Sequence, residues 1–231
     1  MGLHFFNPVA VLPLVEIIRT GNSDDVSLAT ACSLARLLGK TAVLVADTPG
    51  FAVNRILTRL FCELLQLIDN GADIELADHA LDPLGLPMTP LTLLGFIGPA
   101  VQLHICETMH AAYPDRFYVS TSLAAIADAR LRGYLDKSGT VLPEAAALLP
   151  AADVDSDADA IKIRILDALA EEVGLMLAEK VVSGPADIDL CMLLGANYPR
   201  HLGGLTPLLD QSGASRRIWG KDFHPGSGFA D

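Results

Sequence analysis

The sequence predicts a mainly α-helical protein in which a short α/β segment precedes two related helical units. Three observations carry this reading. Residues 1–47 alternate between strand-like and helix-like patterns. After Asp47 the apolar residues switch to helical spacing and keep it. An ordered set of features in the first helical stretch then recurs in the second.

Three runs near the N-terminus read as strands, "LHFF", "LVEIIR" and "TAVLVAD", each rich in aromatic or branched residues. Between the second and third lies "SDDVSLATACSLARLLGK". Ser23 can cap it as a helix, and apolar residues at 31, 34, 37 and 38 follow helical spacing. The order strand, strand, helix, strand is a piece of an α/β sheet. It is too short for a whole domain, because a parallel sheet needs several crossover units.

The helical part opens with "DTPGFAVNRILTRLFCELLQLIDNGA". Asp47 or Thr48 serves as cap, Pro49 lies near the first turn, and Gly71 stops the helix. Leu57, Leu60, Phe61, Leu64 and Leu65 form one apolar face. Shorter helices follow at 74–82, roughly 90–110 and 121–132. Residues 133–157 read as a connector with a short helix at most.

The recurrence begins with Arg55-Ile56-Leu57, which returns as Arg164-Ile165-Leu166. In each copy a glutamate follows eight residues after the arginine, Glu63 and Glu172, and each helix runs to a glycine, Gly71 and Gly184. Next come a short acidic helix ("IELADHALDPLG", "ADIDLCMLLG") and an "LTLL" or "LTPL" segment. Two related helical units are the simplest account; chance similarity of amphipathic helices is the competing one. The segments expected are 1–47, 48–135, a connector at 136–157, and 158–231. Eight residues is too far for a direct pair within a helix, so Arg55 and Arg164 read as structural.

Composition narrows the function classes. A net charge of -12 argues against nucleic acid or an anionic membrane as the main partner. Cys32, Cys62, Cys106 and Cys191 form no CxxC pair, which fits reduced core thiols in a cytoplasmic protein. No signal peptide is visible. The apolar stretch "LDPLGLPMTPLTLLGFIGPA" is broken by four prolines and three glycines, so it is no clean membrane span. The histidines at 79, 104, 110, 201 and 224 have no metal-ligand spacing. Neither G-x-G-x-x-G, a P-loop, HExxH nor G-x-S-x-G is present; the one G-x-G is Gly226-Ser227-Gly228.

"GLHFFNPVAVLPLVEII" followed by "DTPGFAVNRIL" resembles the 3-hydroxyacyl-CoA dehydrogenase family, and "GADIELADHALDPLGLPMTP" is similar to the family's next helical segment. The spacing agrees, with twelve residues from His4 to Glu16 and fifty from His4 to Asn54. The second helical copy looks like the long form of the family, the multifunctional α-subunits of fatty-acid β-oxidation. The resemblance implies that residues 1–47 are the C-terminal remnant of an NAD-binding Rossmann domain. The Gly-rich turn of that domain, and a preceding hydratase, would lie outside these residues. Leu12, Thr89 and "LLGFIGPAV" depart from the family pattern in ways that bear on substrate range more than on membership.

The resemblance also assigns roles. Oxidising a secondary alcohol needs a base for the hydroxyl proton, and imidazole titrates near neutral pH. His4 would be that base, with Glu16 as its orienting carboxylate. Taken alone, His4 reads as a satisfied core histidine. Asn7 would help hold nicotinamide and substrate, the plain alternative being a turn asparagine. Asn54, a poor helix former on a first helical turn, would hold the acyl-CoA; otherwise it faces solvent. The implied cofactor is NAD and the implied substrate an acyl-CoA. Expected partners are a second copy of the chain and, for a complete multifunctional subunit, a thiolase. Without the Gly-rich turn the chain alone is expected to turn over little or nothing. The second functional reading is therefore a catalytically incompetent helical module for dimerisation or acyl-CoA contact.

Overall fold

The computed structural model describes residues 1–155 and 157–225; Gly226-Ser227-Gly228 lies outside them. Strands β1 (Gly2–Phe5) and β2 (Leu14–Arg19) pair antiparallel, with His4 directly opposite Glu16. Strand β3 (Thr41–Ala46) adds to the other side of β2 in parallel, giving the order β1-β2-β3. The central strand is buried from Leu14 to Ile18. A parallel neighbour requires a crossover, supplied by helix α1 (Asp25–Leu37).

Two details of α1 differ from the sequence reading. Its cap is Asp24, whose carboxylate accepts from the Ser27 amide at 2.6 Å, while Ser23 Oγ accepts from the Thr20 amide instead. Its buried face is Leu28, Ala31 and Ala35, whereas Leu34, Leu37 and Leu38 are exposed. The helix carries two apolar stripes, and periodicity alone does not say which one meets the sheet.

Helix α2 (Val53–Asp69) also begins later than Pro49 suggests. Thr48 to Ala52 form a tight turn with Gly50 at φ 76° and Phe51 at φ 49°. From Thr58 to Leu65 the helix is buried on every side, including Arg59 and Glu63, and not along a single apolar face. Helix α3 (Ile74–His79) and a 3-10 turn (Asp82–Leu84) follow. The single helix expected over 90–110 is two, α4 (Pro90–Ile97) and α5 (Pro99–Ala112). They part at Gly98, φ 100°, because Pro99 has no amide hydrogen to continue the ladder. The chain continues through α6 (Thr121–Asp128), α7 (Pro143–Ala146), α8 (Ala158–Ala178), α9 (Pro185–Gly195), α10 (Leu205–Gln211) and α11 (Ala214–Trp219). Helix α8 ends with Lys180 in the left-handed position, φ 57°, and not at Gly184, which is extended and precedes α9.

The chain forms two compact units, residues 1–56 together with the chain from Ala170 onward, and Leu57–Leu169. In the first, helix α9 packs against β2 and β3, and the Ala46 amide donates to Val181 O at 2.8 Å. Trp219 donates from Nε1 to Ala170 O and lies against Gly174, where a Cβ would meet its ring at 2.1 Å. Asp189, buried, accepts from the Thr206 amide at 2.8 Å and from Thr206 Oγ1, fixing α9 to the start of α10. Wholly buried Arg55 reaches Glu172 at 2.5 Å and Glu179 at 2.7 Å.

The second unit repeats these devices with its own residues. Buried Asp78 accepts from the Leu91 amide at 2.7 Å, fixing α3 to α4. Arg164 donates to Glu63 at 3.0 Å and to Gln66 at 2.7 Å. Each arginine thus finds the glutamate that follows the other arginine in the sequence, eight residues being too far along its own helix. Burial pushes the carboxyl pKa of both Asp78 and Asp189 upward.

Candidate active site

The site grows out of the β1–β2 pairing. Directly opposed residues of an antiparallel pair project to the same face, so register alone sets the His4 and Glu16 side chains together. The contact forms: His4 Nδ1 lies 2.7 Å from Glu16 Oε2. An ionised carboxylate only accepts, so Nδ1 is the donor in this contact and Nε2 is the ring nitrogen left for another partner. The His4 side chain is 27% exposed and Glu16 is 0% exposed, leaving the imidazole reachable and the carboxylate sealed.

Glu16 is held from its other side by the turn before α2. Its Oε1 accepts from the amides of Ala52 at 3.1 Å and Val53 at 3.0 Å. These amides belong to the unsatisfied start of the helix, where a negative charge is favourable. A carboxylate from a strand thus caps a helix that its own Asp47 and Thr48 do not cap. The charge is felt nearby, because burial first and then Glu16 push the Cys191 thiol upward. Helix α9 also closes in here, since a Cβ on Gly195 would meet Leu14, Val53 and Phe6.

Two phenyl rings complete the surroundings of His4. Phe6 stands edge-on with ring centroids 4.5 Å apart, and Phe51 lies tilted at 5.5 Å. Neither was legible as a site residue, although Pro49-Gly50 before Phe51 marks a turn. Asn54 is half-buried on the first turn of α2, one residue past the amide that holds Glu16. Asn7 is exposed beyond the end of β1, and the bond from it to Pro8 is cis. The structure therefore brings His4 and Glu16 into contact and sets Asn54 beside their anchor. Asn7 makes no hydrogen bond to either.

Three of the other histidines make local contacts. His79 pairs with Asp82, which raises its pKa, His110 Nδ1 meets Phe117 O at 2.7 Å, and His224 meets Thr206 and Asp189. Among the described residues no three metal-ligating side chains converge, and no helix is long and apolar enough to cross a membrane.

A partly exposed strand histidine paired with a sealed carboxylate at a helix start, in a chain of α/β-plus-helical build, is an arrangement that can serve acid/base chemistry. Profile comparison sharpens that reading. The NAD binding domain of 3-hydroxyacyl-CoA dehydrogenase matches residues 1–48 and the C-terminal domain of the same enzyme matches residues 50–140. The chain belongs to the 3-hydroxyacyl-CoA dehydrogenase family. It is 32% identical over 238 residues to the fatty acid oxidation complex subunit alpha of Acinetobacter baylyi, covering 94% of this chain and 33% of that one. To the subunit of the same description in Psychrobacter arcticus it is 34% identical, covering 92% and 32%. The chain thus spans about a third of the length of these curated relatives. A 3-hydroxybutyryl-CoA dehydrogenase from Escherichia coli shares the fold at TM-score 0.69 and 22% identity, over 98% of this chain and 68% of that one. A (S)-3-hydroxybutyryl-CoA dehydrogenase from Ralstonia eutropha matches at TM-score 0.54 and 30% identity, over 61% and 51%.

The residues present do not fit the pyrophosphate of NAD. A dinucleotide is cradled by amides at a helix start after a strand. Here two helices follow strands, and both starts hold carboxylates: Asp24 on the Ser27 amide and Glu16 on those of Ala52 and Val53.

Proposed function

We propose that this chain supplies the acid/base pair and the substrate-side helices of an NAD-dependent L-3-hydroxyacyl-CoA dehydrogenase of fatty-acid β-oxidation. The observation that carries the reading is the His4–Glu16 contact with its second carboxylate oxygen locked to α2. His4 Nε2 takes the proton from the substrate hydroxyl in oxidation and returns it to the keto oxygen in reduction. Glu16 fixes the tautomer and stabilises the imidazolium that forms. Asn54 holds the acyl-CoA near its hydroxyl or carbonyl, and Asn7 serves the nicotinamide and substrate side. The paired devices around Asp78 and Asp189, and around Arg55 and Arg164, support the reading of two related helical units. A cytoplasmic location, association between copies and contact with a thiolase belong to the same proposal.

The occupied helix starts favour the second reading for the chain alone, a helical module without turnover. The test joins residues 1–231 behind a complete dinucleotide-binding segment of the same family and follows NADH oxidation with acetoacetyl-CoA. The chain alone is expected to stay near background. The joined protein is expected to turn over and to lose on the order of 10²- to 10⁴-fold in His4→Ala, the usual worth of a general acid/base. Turnover that His4→Ala leaves intact removes the assignment.

A further inference from the structure

Phe51 sits where its backbone does not want a phenylalanine. Its φ of 49° is left-handed, uncommon for any residue but glycine and a genuine outlier for a bulky one. Gly50 just before it, at φ 76°, adopts the same region without penalty. A second glycine would relax the turn, so the phenyl ring must return something where it lands. An observed backbone outlier beside reacting groups is a reason to look for function.

The ring lands on His4, at 5.5 Å between centroids and a 50° tilt. Phe6 bounds the imidazole from another side at 4.5 Å and 64°. Glu16 fixes Nδ1 at 2.7 Å. A single hydrogen bond leaves the imidazole plane free to swing about that bond, and ring contacts are what limit the swing. The same turn controls the other member of the dyad, because the two residues after Phe51 donate the amides that hold Glu16 Oε1.

Resting on the reading of His4 as the acid/base, we propose that Phe51 is a positioning residue. Its ring, carried on a strained turn, fixes the plane of the His4 imidazole and so the direction of its Nε2. The backbone that follows the ring fixes Glu16, and one six-residue segment, Thr48–Val53, sets both halves of the pair.

The test uses the 231-residue chain and NMR of its ring nitrogens and ring protons, which needs no turnover. Phe51→Gly removes the ring and relieves the left-handed strain, so thermal stability is expected to stay close to that of the parent. Phe51→Tyr keeps the ring. In Phe51→Gly the His4 ring-proton resonances should move away from their positions in the parent. Exchange of its Nδ1 hydrogen with water should speed up by roughly tenfold or more. Phe51→Tyr should keep both readouts at the parent's values. A folded Phe51→Gly chain in which both match the parent overturns the proposal. If Phe51→Gly does not fold, Phe51→Leu replaces it: a bulky but non-aromatic side chain that leaves both readouts unchanged is equally fatal. Loss of the catalytic assignment in the His4→Ala assay leaves these spectra unaffected, so the two failures are separable.

Discussion

A carboxylate without solvent needs partners for both of its oxygens, and Glu16 has them on two different elements: the His4 ring on one strand and the Ala52 and Val53 amides at the start of α2. Glu16→Ala deprives all three donors. An orphaned buried donor costs about 1–3 kcal/mol, and a lost helix cap costs about 0.5–2 kcal/mol. Glu16→Gln keeps a carbonyl for the two amides but loses the charge and sets an NH2 donor against His4 Nδ1. Urea denaturation is expected to rank them parent, Gln, Ala, with Ala at least about 1 kcal/mol below Gln. Equal midpoints would mean that the cap contributes nothing. The resemblance singled out His4 and Glu16, which the structure brings into contact; read without it, His4 passes for a core histidine. Phe51 was not singled out, because nothing in an amino-acid string states that a phenylalanine takes φ 49°. Nor did Asp47 or Thr48 reveal that the cap of α2 comes from a residue over thirty positions earlier.

At the scale of elements, the two arginines that open the recurring segment differ in what surrounds them. Arg55 and Glu172 are both wholly buried, so Arg55→Met leaves a carboxylate enclosed without its main partner. Removing one side of such a pair costs about 3–5 kcal/mol. Arg164 is 42% exposed, and its partner Glu63 keeps Arg59 at 3.3 Å when Arg164 is gone. Exposed pairs contribute about 0–1 kcal/mol, so Arg164→Met should scarcely move the denaturation midpoint. Similar losses for both would show that burial does not separate the pairs. The recurrence was visible in the sequence as R-I-L followed by a glutamate eight residues on, yet the partner was not. Spacing reports neighbours along one helix, and these bonds join residues over a hundred positions apart. Helix ends were read less well for a related reason. Gly98 and Pro99 divide a stretch whose apolar spacing runs on unbroken, and α8 stops at a left-handed Lys180, short of the Gly184 at which it was expected to end.

At the scale of the whole molecule, what the sheet leaves uncovered matters as much as what it buries. The order β1-β2-β3 gives two edge strands, and Leu44 on β3 is 37% exposed. Helix α1 turns Leu28, Ala31 and Ala35 inward and presents Val26, Leu34 and Leu37 outward, Leu37 at 85% exposure. The sequence could announce that α1 is apolar on two stripes but not that one of them would stay in water. That depends on which layers pack against so small a sheet. Unpaired strand edges template association, and contiguous apolar surface promotes it. The net charge of -12 opposes this, but the Debye length near physiological salt is about 8 Å, so repulsion between copies is weak beyond contact. Burial of apolar surface, at about 25 cal/mol per Å², is not screened and should win. The chain is therefore expected to self-associate at micromolar concentration. Replacing Leu34 and Leu37 together by lysine should lower the apparent mass in light scattering while leaving the fold intact by circular dichroism. A parent chain that runs as a monodisperse monomer at that concentration would show that the exposed stripe and the sheet edges are tolerated in water as they stand.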